Sequence, residues 1–127
     1  MTTNRTAERV RPPKAFGAPH VFVLAVLEGD DPTQVHRIQR TETTIGRTDP
    51  ADFVIEDDQI SQQHIRLRVE GSVCTLQDLE SLNGTRVNGS KVRSGTCCRL
   101  RHLDEIQIGG TRLFLLSGKS IERKDRD

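Results

Sequence analysis

The stretch IRLRVEGSVCTLQD, residues 65–78, contains two strand patterns joined by a turn. Over residues 65–70 three apolar side chains alternate with three charged ones, which is the period-two pattern of a half-buried β-strand. Gly71 and Ser72 then turn the chain into a second extended run, Val73 to Asp78. The stretch therefore predicts a β-hairpin that packs one face against a core.

Short runs of the same kind recur on both sides of this hairpin. They are His20–Leu27, Val35–Arg40, Thr43–Ile45, Asp52–Ile55, Cys97–Arg101, Ile106–Ile108 and Thr111–Leu116. The first two form a predicted hairpin whose turn spans Glu28 to Pro32, and Asn88-Gly89 is the signal of a two-residue hairpin turn. No window of helical length carries a 3.6-residue apolar period. We therefore predict an all-β domain, an antiparallel sandwich or barrel.

Composition and charge argue against several classes of function. The 127 residues suit one domain, and 19 basic against 18 acidic residues leave a net charge of +1. That balance, with few aromatic residues, is atypical of a nucleic-acid binder. The apolar run at residues 20–27 is too short to cross a bilayer, and the N-terminus lacks a hydrophobic signal core. We expect a soluble, cytoplasmic protein with neither a membrane nor a nucleic-acid partner.

The three cysteines, Cys74, Cys97 and Cys98, show no framework of disulfides or metal ligands. An odd number with two adjacent is atypical of a disulfide scaffold, and the paired spacing of a zinc site is missing. We expect reduced thiols, no metal and no cofactor. The only candidate nucleophiles or bases are these thiols, Ser61 and His64, and no acidic residue aligns with His64 by motif, so we expect no enzymatic activity.

Polar ends flank the predicted core. Residues 1–19 hold no apolar run and are predicted to be a flexible tail. Residues 20–117 form the predicted domain, and residues 118–127 a charged linker. Because the charged end has no helix cap or proline stop, we expect the chain to be part of a longer protein with an effector domain downstream.

Three polar motifs lie in loops between predicted strands: Gly46-Arg47, Ser61-Gln62-Gln63-His64 and Ser81-Leu82-Asn83-Gly84-Thr85. Arg47 supplies a permanently charged fork of donors, Ser61 a hydroxyl, and Asn83 an amide suited to the backbone of an extended peptide. One cation, one hydroxyl and free backbone N–H groups would suit a phosphate dianion. Each motif alone also has an ordinary structural explanation, such as a surface cation, a turn cap or a buried histidine.

In this order and spacing the motifs resemble the forkhead-associated (FHA) domain. The family pattern is Gly-Arg, then Ser-x-x-His, then Asn-Gly with a second Asn beyond it. Here it is met by Gly46-Arg47, Ser61 to His64, Asn83-Gly84 and Asn88, and the resemblance covers about Val21 to Leu116. It implies a sandwich of two twisted antiparallel sheets with recognition loops at one end, and binding of phosphothreonine in partner proteins.

The resemblance also implies a role for each matching residue. Phosphate binding is assigned to Arg47, Ser61, Gln62 and Leu82, and binding of the peptide backbone to Asn83. Support of the site is assigned to Gly46, His64, Gly84, Thr85 and Asn88, with His64 bracing the loop that holds Arg47 and Ser61. Gln59, Glu80 and Arg86 lie near the expected peptide path and are candidates for selectivity.

Leu82 departs from the family pattern, because many relatives carry Ser, Thr, Lys or Arg at this place. Only its backbone N–H can then assist phosphate binding, and Gln62 is likewise neutral where a basic residue is often found. Losing one charge-assisted bond, worth about 1.5–3 kcal/mol, would weaken binding about tenfold. Leu82 therefore favours the alternative of an FHA-like scaffold that binds an unphosphorylated protein surface.

The predicted ligand is a phosphothreonine of another protein, made by an upstream Ser/Thr kinase, or one of the chain's own tail. The candidate phosphosites in the tail are Thr2, Thr3 and Thr6. The sequence from Phe114 to Glu122 resembles the exit from FHA domains that precede GGDEF diguanylate cyclase domains. It implies the input domain of a larger bacterial-type signalling protein, with cyclic-di-GMP synthesis by a following domain as the regulated output.

Overall fold

The computed structural model describes residues 20–28 and 31–119. The predicted tail at residues 1–19, with Thr2, Thr3 and Thr6, lies outside the described residues, as do residues 120–127 of the predicted linker. The described part of the chain contains no helix long and apolar enough to cross a membrane.

The described residues form eleven strands. They are β1 (His20–Glu28), β2 (Asp31–Ile38), β3 (Glu42–Gly46), β4 (Phe53–Val54), β5 (Ile65–Glu70), β6 (Val73–Asp78), β7 (Thr85–Val87), β8 (Ser90–Lys91), β9 (Cys97–Leu100), β10 (Glu105–Ile108) and β11 (Thr111–Lys119). One sheet has the order β2-β1-β11-β10-β7-β8, and the other β4-β3-β5-β6-β9. The predicted all-β sandwich is confirmed.

One strand pair corrects the expectation of purely antiparallel sheets. β4 runs parallel to β3, with Ile45 opposite Phe53. After β3 the chain turns back over residues 47–52 and then runs in the direction of β3 again. Asp52 holds this return, because its carboxylate accepts hydrogen bonds from the N–H of Thr44 at 2.9 Å and from its hydroxyl at 3.2 Å.

Two of the three predicted hairpins have the predicted bounds and turn. Residues 65–78 pair as β5 and β6, with Ile65 opposite Asp78. Asn88 and Gly89 connect β7 to β8 with φ angles of 51° and 84°, and a type I′ turn requires positive φ at both central residues.

The first hairpin and the last strand extend further than predicted. β2 begins at Asp31, so that Pro32 lies in a strand rather than in the turn. Proline is tolerated there because β2 is the edge strand of its sheet. β11 runs to Lys119 because it pairs with β1 as far as His20.

The core lies between the two sheets and is almost entirely aliphatic. Its buried members are Phe22, Leu24, Val26, Ile45, Phe53, Ile55, Ile60, Ile65, Leu67, Cys74, Leu76, Val87, Leu100, Ile106, Ile108, Leu113 and Leu115. Burial of alternate residues on strands of both sheets removes apolar surface from water and fixes the sheets face to face. The loops that leave the strand ends are thereby held at fixed spacing.

Three of these loops meet at one end of the sandwich. They are residues 47–52, which follow β3, residues 55–64, which precede β5, and residues 79–84, which join β6 to β7. All three polar motifs of the sequence lie in or beside them.

Candidate functional site

Arg47 is anchored to the loop that carries Ser61. Its backbone N–H donates to the carbonyl of Ser61 at 3.0 Å, and its side-chain Nε donates to the carbonyl of Ile60 at 2.8 Å. Among the described residues nothing bonds to the two terminal guanidinium nitrogens. The half-buried side chain is therefore held by Nε and presents its other donors to solvent.

Gly46 allows the loop before β5 to approach β3 closely. A β-carbon at this position would overlap the carbonyl oxygen of Gln62, with the carbonyl carbon 2.7 Å away and the Cα of Gln63 2.9 Å away. These are backbone atoms, so they cannot move aside without displacing the loop. Any residue other than glycine would separate Arg47 from Ser61.

The hydroxyl of Ser61 links two of the three loops. Its oxygen accepts a hydrogen bond from the backbone N–H of Leu82 at 3.0 Å. A serine hydroxyl has one proton and two lone pairs, so accepting this bond leaves the proton free to be donated. The donor side of Ser61 has no partner within residues 20–28 and 31–119.

His64 is fully buried beneath the site and joins the same two loops from below. Its Nδ1 accepts a hydrogen bond from the Ser61 N–H at 3.0 Å, and its Nε2 lies 2.8 Å from the carbonyl oxygen of Gly84. Because Nδ1 is an acceptor, Nε2 must carry the proton and donate it to Gly84. The neutral ring, in one tautomer, thus fixes the separation of Ser61 and Gly84.

Asp78 organises the loop that contains Asn83. The buried carboxylate accepts hydrogen bonds from the Ser81 hydroxyl at 2.5 Å, the Ser81 N–H at 3.1 Å and the Thr85 hydroxyl at 2.6 Å. Burial alone would raise the pKa of Asp78, but these hydrogen bonds to its charged form outweigh burial and lower that pKa. The Ser81 oxygen in turn accepts the Gly84 N–H at 3.0 Å.

Asn83 joins its loop to the one before β5. Its amide Nδ2 donates to the carbonyl of Gln59 at 3.0 Å. The amide oxygen has no partner among the described residues, so it can accept a hydrogen bond from the N–H of a bound peptide.

Asp57 ties the loop before β5 to the opposite sheet. Its carboxylate accepts from the Gly110 N–H at 2.9 Å, the Thr111 hydroxyl at 2.7 Å and the Gln59 N–H at 2.9 Å. Partial burial would raise the pKa of Asp57, but these three hydrogen bonds lower it overall. The Gln59 carbonyl, which holds Asn83, is fixed in this way to the turn after β10.

The predicted phosphate-binding residues are brought together. One surface depression is lined by Arg47, Asp58, Gln59, Ile60, Ser61, Gln62, Gln63, Leu82 and Asn83. Arg47 is the only cation of this lining. Leu82 stands at the rim and is 88% exposed as a residue, and its N–H donates a hydrogen bond to Ser61.

A second depression adjoins the first and shares Gln59 and Asn83 with it. It is lined by Gln59, Asn83, Gly84, Thr85, Arg86, Lys91, Gln107 and Gly109. Of the residues predicted to set selectivity, Gln59 and Arg86 lie here. Glu80 lines neither depression and is exposed, with a φ of 57°.

Asn88 lies away from the phosphate-binding residues. Its amide donates to the Asp104 carboxylate at 2.9 Å and accepts the Glu105 N–H at 2.9 Å. It therefore fixes the β7–β8 turn against β10, and it supports the second depression rather than the first.

Sequence reasoning placed Asp57 and Asp78 beside the polar motifs but assigned no role to three groups that shape the site: the carboxylates of Asp57 and Asp78 and the carbonyl of Ile60. Asp78 left a local signal, because Asp followed three residues later by Ser is typical of a loop closed by the carboxylate. Asp57 accepts a hydrogen bond from Gly110, 53 residues later in the sequence, and Ile60 accepts one from Arg47, 13 residues earlier. A short sequence motif cannot reveal contacts between residues so far apart.

Comparison with known proteins places these residues in a family. The family model described as FHA domain matches residues 43–109. The glycogen accumulation regulator GarA of Mycolicibacterium smegmatis is 34% identical over 96 residues, covering 76% of this chain and 59% of GarA. The oxoglutarate dehydrogenase inhibitor of Corynebacterium efficiens is 33% identical over 110 residues, covering 84% of this chain and 75% of the inhibitor. The chain thus spans about three fifths of the length of GarA.

Solved structures similar to this chain include FHA domains, the same family that the sequence matches. An FHA domain studied for phosphothreonine-dependent interactions has a TM-score of 0.69 and 28% identity, covering 76% of this chain and 95% of that domain. The FhaA FHA domain, solved in complex with the intracellular domain of Rv3910, has a TM-score of 0.67 and 29% identity, covering 74% and 98%. These relatives are binding and regulatory proteins rather than enzymes. On sequence, fold and motif order alike, the chain belongs to the FHA domain family.

Proposed function

We propose that this chain binds phosphothreonine-containing segments of a partner protein, with Arg47 and Ser61 on the phosphate and Asn83 on the peptide backbone. The observation that carries the proposal is the convergence of these three side chains on one depression, each with an unused donor or acceptor. The terminal guanidinium nitrogens and the Ser61 proton are donors that match phosphate oxygens. The neighbouring free amide oxygen of Asn83 matches a peptide N–H.

Preorganisation strengthens this assignment. The Nε bond to Ile60, the Leu82 bond to Ser61 and the His64 bridge hold the donors through contacts within the chain itself. A ligand that meets a rigid site loses less binding energy to the ordering of side chains. A phosphate carries a charge of about −1.5 to −2 with a second pKa near 6, so binding should weaken below that pH and at high salt.

The protein regulated by this binding would be the enzyme or other partner to which the bound segment belongs. The names of the relatives describe a regulator of glycogen accumulation and an inhibitor of oxoglutarate dehydrogenase, which favours control through protein binding. A Ser/Thr kinase must act upstream to create the ligand. Since these names do not describe synthesis of cyclic-di-GMP, the proposal does not extend to a diguanylate cyclase effector. A cytoplasmic location stays a prediction.

A peptide titration tests the proposal. The chain is titrated with one peptide sequence in its phosphothreonine, phosphoserine and unphosphorylated forms, followed by calorimetry or fluorescence anisotropy. We expect micromolar binding of the phosphothreonine form only. Arg47→Ala should lose this binding, while Arg99→Ala, which removes an exposed cation of β9, should keep it. Equal binding of the phosphorylated and unphosphorylated peptides by the unaltered chain would refute the proposal.

The second candidate is a scaffold that binds an unphosphorylated protein surface, and the exposed side chain of Leu82 favours it. An apolar residue at the rim of the depression suits an apolar contact better than a phosphate. Phosphatase treatment of a captured partner separates the two functions, because only the phosphate-dependent complex would dissociate.

A further inference from the structure

Two cations face each other on the β7–β8 hairpin. Arg86 and Lys91 are directly opposite in the antiparallel register, and both are exposed. Opposite positions place side chains on the same face with β-carbons about 5 Å apart, and like charges there are unfavourable. The repulsion between the two cations therefore destabilises the isolated hairpin. An anion bound between the side chains would replace this repulsion with attraction to the anion.

No acidic side chain offsets this pair within the described residues. Arg86 donates from Nη1 to the carbonyl of Gly89 at 3.2 Å, which leaves its charge uncompensated. The residues that line the depression around both cations include no carboxylate. By contrast, Arg112, in the same row two strands further on, is paired with the Glu105 carboxylate at 2.6 Å.

This cationic depression is continuous with the proposed phosphate site. Asn83 and Gln59 line both depressions, and Arg86 lies three residues after Asn83. An extended peptide advances about 3.3 Å per residue. Three extended residues span about 10 Å, so a peptide held by Asn83 at the boundary of the two depressions can place a side chain in the one that Arg86 and Lys91 line.

We propose that Arg86 and Lys91 form an anion subsite that selects phosphothreonine segments with an acidic or second phosphorylated side chain within three residues. The inference rests on the proposed function, because the subsite adds to a peptide already held at Arg47. Both sources of negative charge share one chemistry, an oxyanion between two cations.

The subsite also discriminates between ligands in trans and the chain's own tail. Thr6 is flanked by Arg5 and Arg9, with Glu8 as the only acid within three residues, and Arg5 follows Thr2 and Thr3 within that distance. A basic flank opposes the Arg86–Lys91 pair. The tail should therefore be a weaker ligand than an acidic segment of another protein.

The test uses peptides with one central phosphothreonine. The reference peptide has neutral flanks. Further peptides carry a single Glu at each of the three positions before and after the phosphothreonine, and one carries a second phosphothreonine at the best of these positions. We expect at least one Glu peptide, or the doubly phosphorylated one, to bind roughly three- to tenfold more tightly than the reference, with the gain diminishing at high salt.

The variant Arg86→Gln/Lys91→Gln should bind the acidic and the neutral peptides with equal affinity, so that the ratio between them falls to about one. The matched control, Arg37→Gln/Arg99→Gln, removes two exposed charges elsewhere and should keep the gain. If the unaltered chain binds the neutral peptide but shows no gain at any position, or if the Arg86/Lys91 variant retains the gain, the subsite is refuted. If it binds no phosphothreonine peptide, the proposed function itself fails. If only the doubly phosphorylated peptide binds more tightly than the reference, the subsite binds a phosphate dianion rather than a carboxylate.

Discussion

The hydroxyl oxygen of Ser61 accepts the backbone N–H of Leu82 at 3.0 Å, across 21 residues of sequence. One bond thus positions two loops and directs the remaining Ser61 proton outward. It also means that the Leu82 N–H, which the sequence offered as a phosphate donor, already has a partner. In the proposed mode of binding, phosphate affinity then comes chiefly from Arg47 and the Ser61 hydroxyl, unless the N–H is shared with the ligand.

A cation added at the rim of the depression should compensate for the small number of hydrogen-bond donors that face the phosphate. Leu82→Arg keeps the backbone N–H and replaces an exposed side chain that contacts little. A charge-assisted hydrogen bond to phosphate contributes about 1.5–3 kcal/mol, so phosphothreonine peptides should bind about tenfold more tightly. Calorimetric titration measures the change. Val35→Arg, at another exposed apolar residue, is the control, and an equal gain there would point to general charge attraction instead.

Replacing Gly46 should damage both stability and binding. In Gly46→Ala the new methyl group overlaps the Gln62 carbonyl, and relieving such overpacking typically costs about 1–3 kcal/mol. Urea unfolding measures the loss, and peptide titration should show weaker binding because the Ser61 loop moves from Arg47. Gly118→Ala, where an added β-carbon meets nothing within 4 Å, should be nearly neutral. Unchanged stability of Gly46→Ala would contradict the close approach.

His64 should matter for stability more than any exposed histidine. His64→Leu leaves the partly buried Ser61 N–H and Gly84 carbonyl without partners, and each unsatisfied group costs about 1–3 kcal/mol. For the two groups together we expect a loss of roughly 2–6 kcal/mol in chemical unfolding. His102→Leu removes a similar acceptor from the Ser117 N–H, but His102 is exposed and water can replace it. A small, equal effect of both substitutions would argue against the bridge.

Asp78 should make stability fall in acid. Its folded-state pKa is lowered and lies below the unfolded value of about 3.9. The carboxylate therefore stabilises the fold above that pH, and the stabilisation disappears as the pH falls through the lower folded-state pKa. Asp78→Asn should be less stable at pH 7 and should lose less stability between about pH 4 and pH 2. Thermal unfolding across this range tests the slope, with the exposed Asp58→Asn as reference.

The strand pattern was predictable because alternation records which side chains face the core. The β5–β6 hairpin and the Asn88-Gly89 turn followed from residues 65–78 and from the need for positive φ. Pro32 misled the prediction of β2, since proline signals a turn unless an edge strand tolerates it. The parallel β3–β4 pair left no pattern at all, because it depends on the contact between Asp52 and Thr44 across a loop.

The order of the site residues is visible in the sequence, and Gly46-Arg47, Ser61 and Asn83 are enough to predict the family from it. The backbone groups that these side chains contact, and the donors and acceptors that they leave free, depend instead on the tertiary structure. The Ile60 carbonyl at Arg47 and the opposition of Arg86 and Lys91 are examples. Periodicity and motifs encode burial and local turns, whereas the approach of two loops depends on how two sheets pack, which arises from the core as a whole.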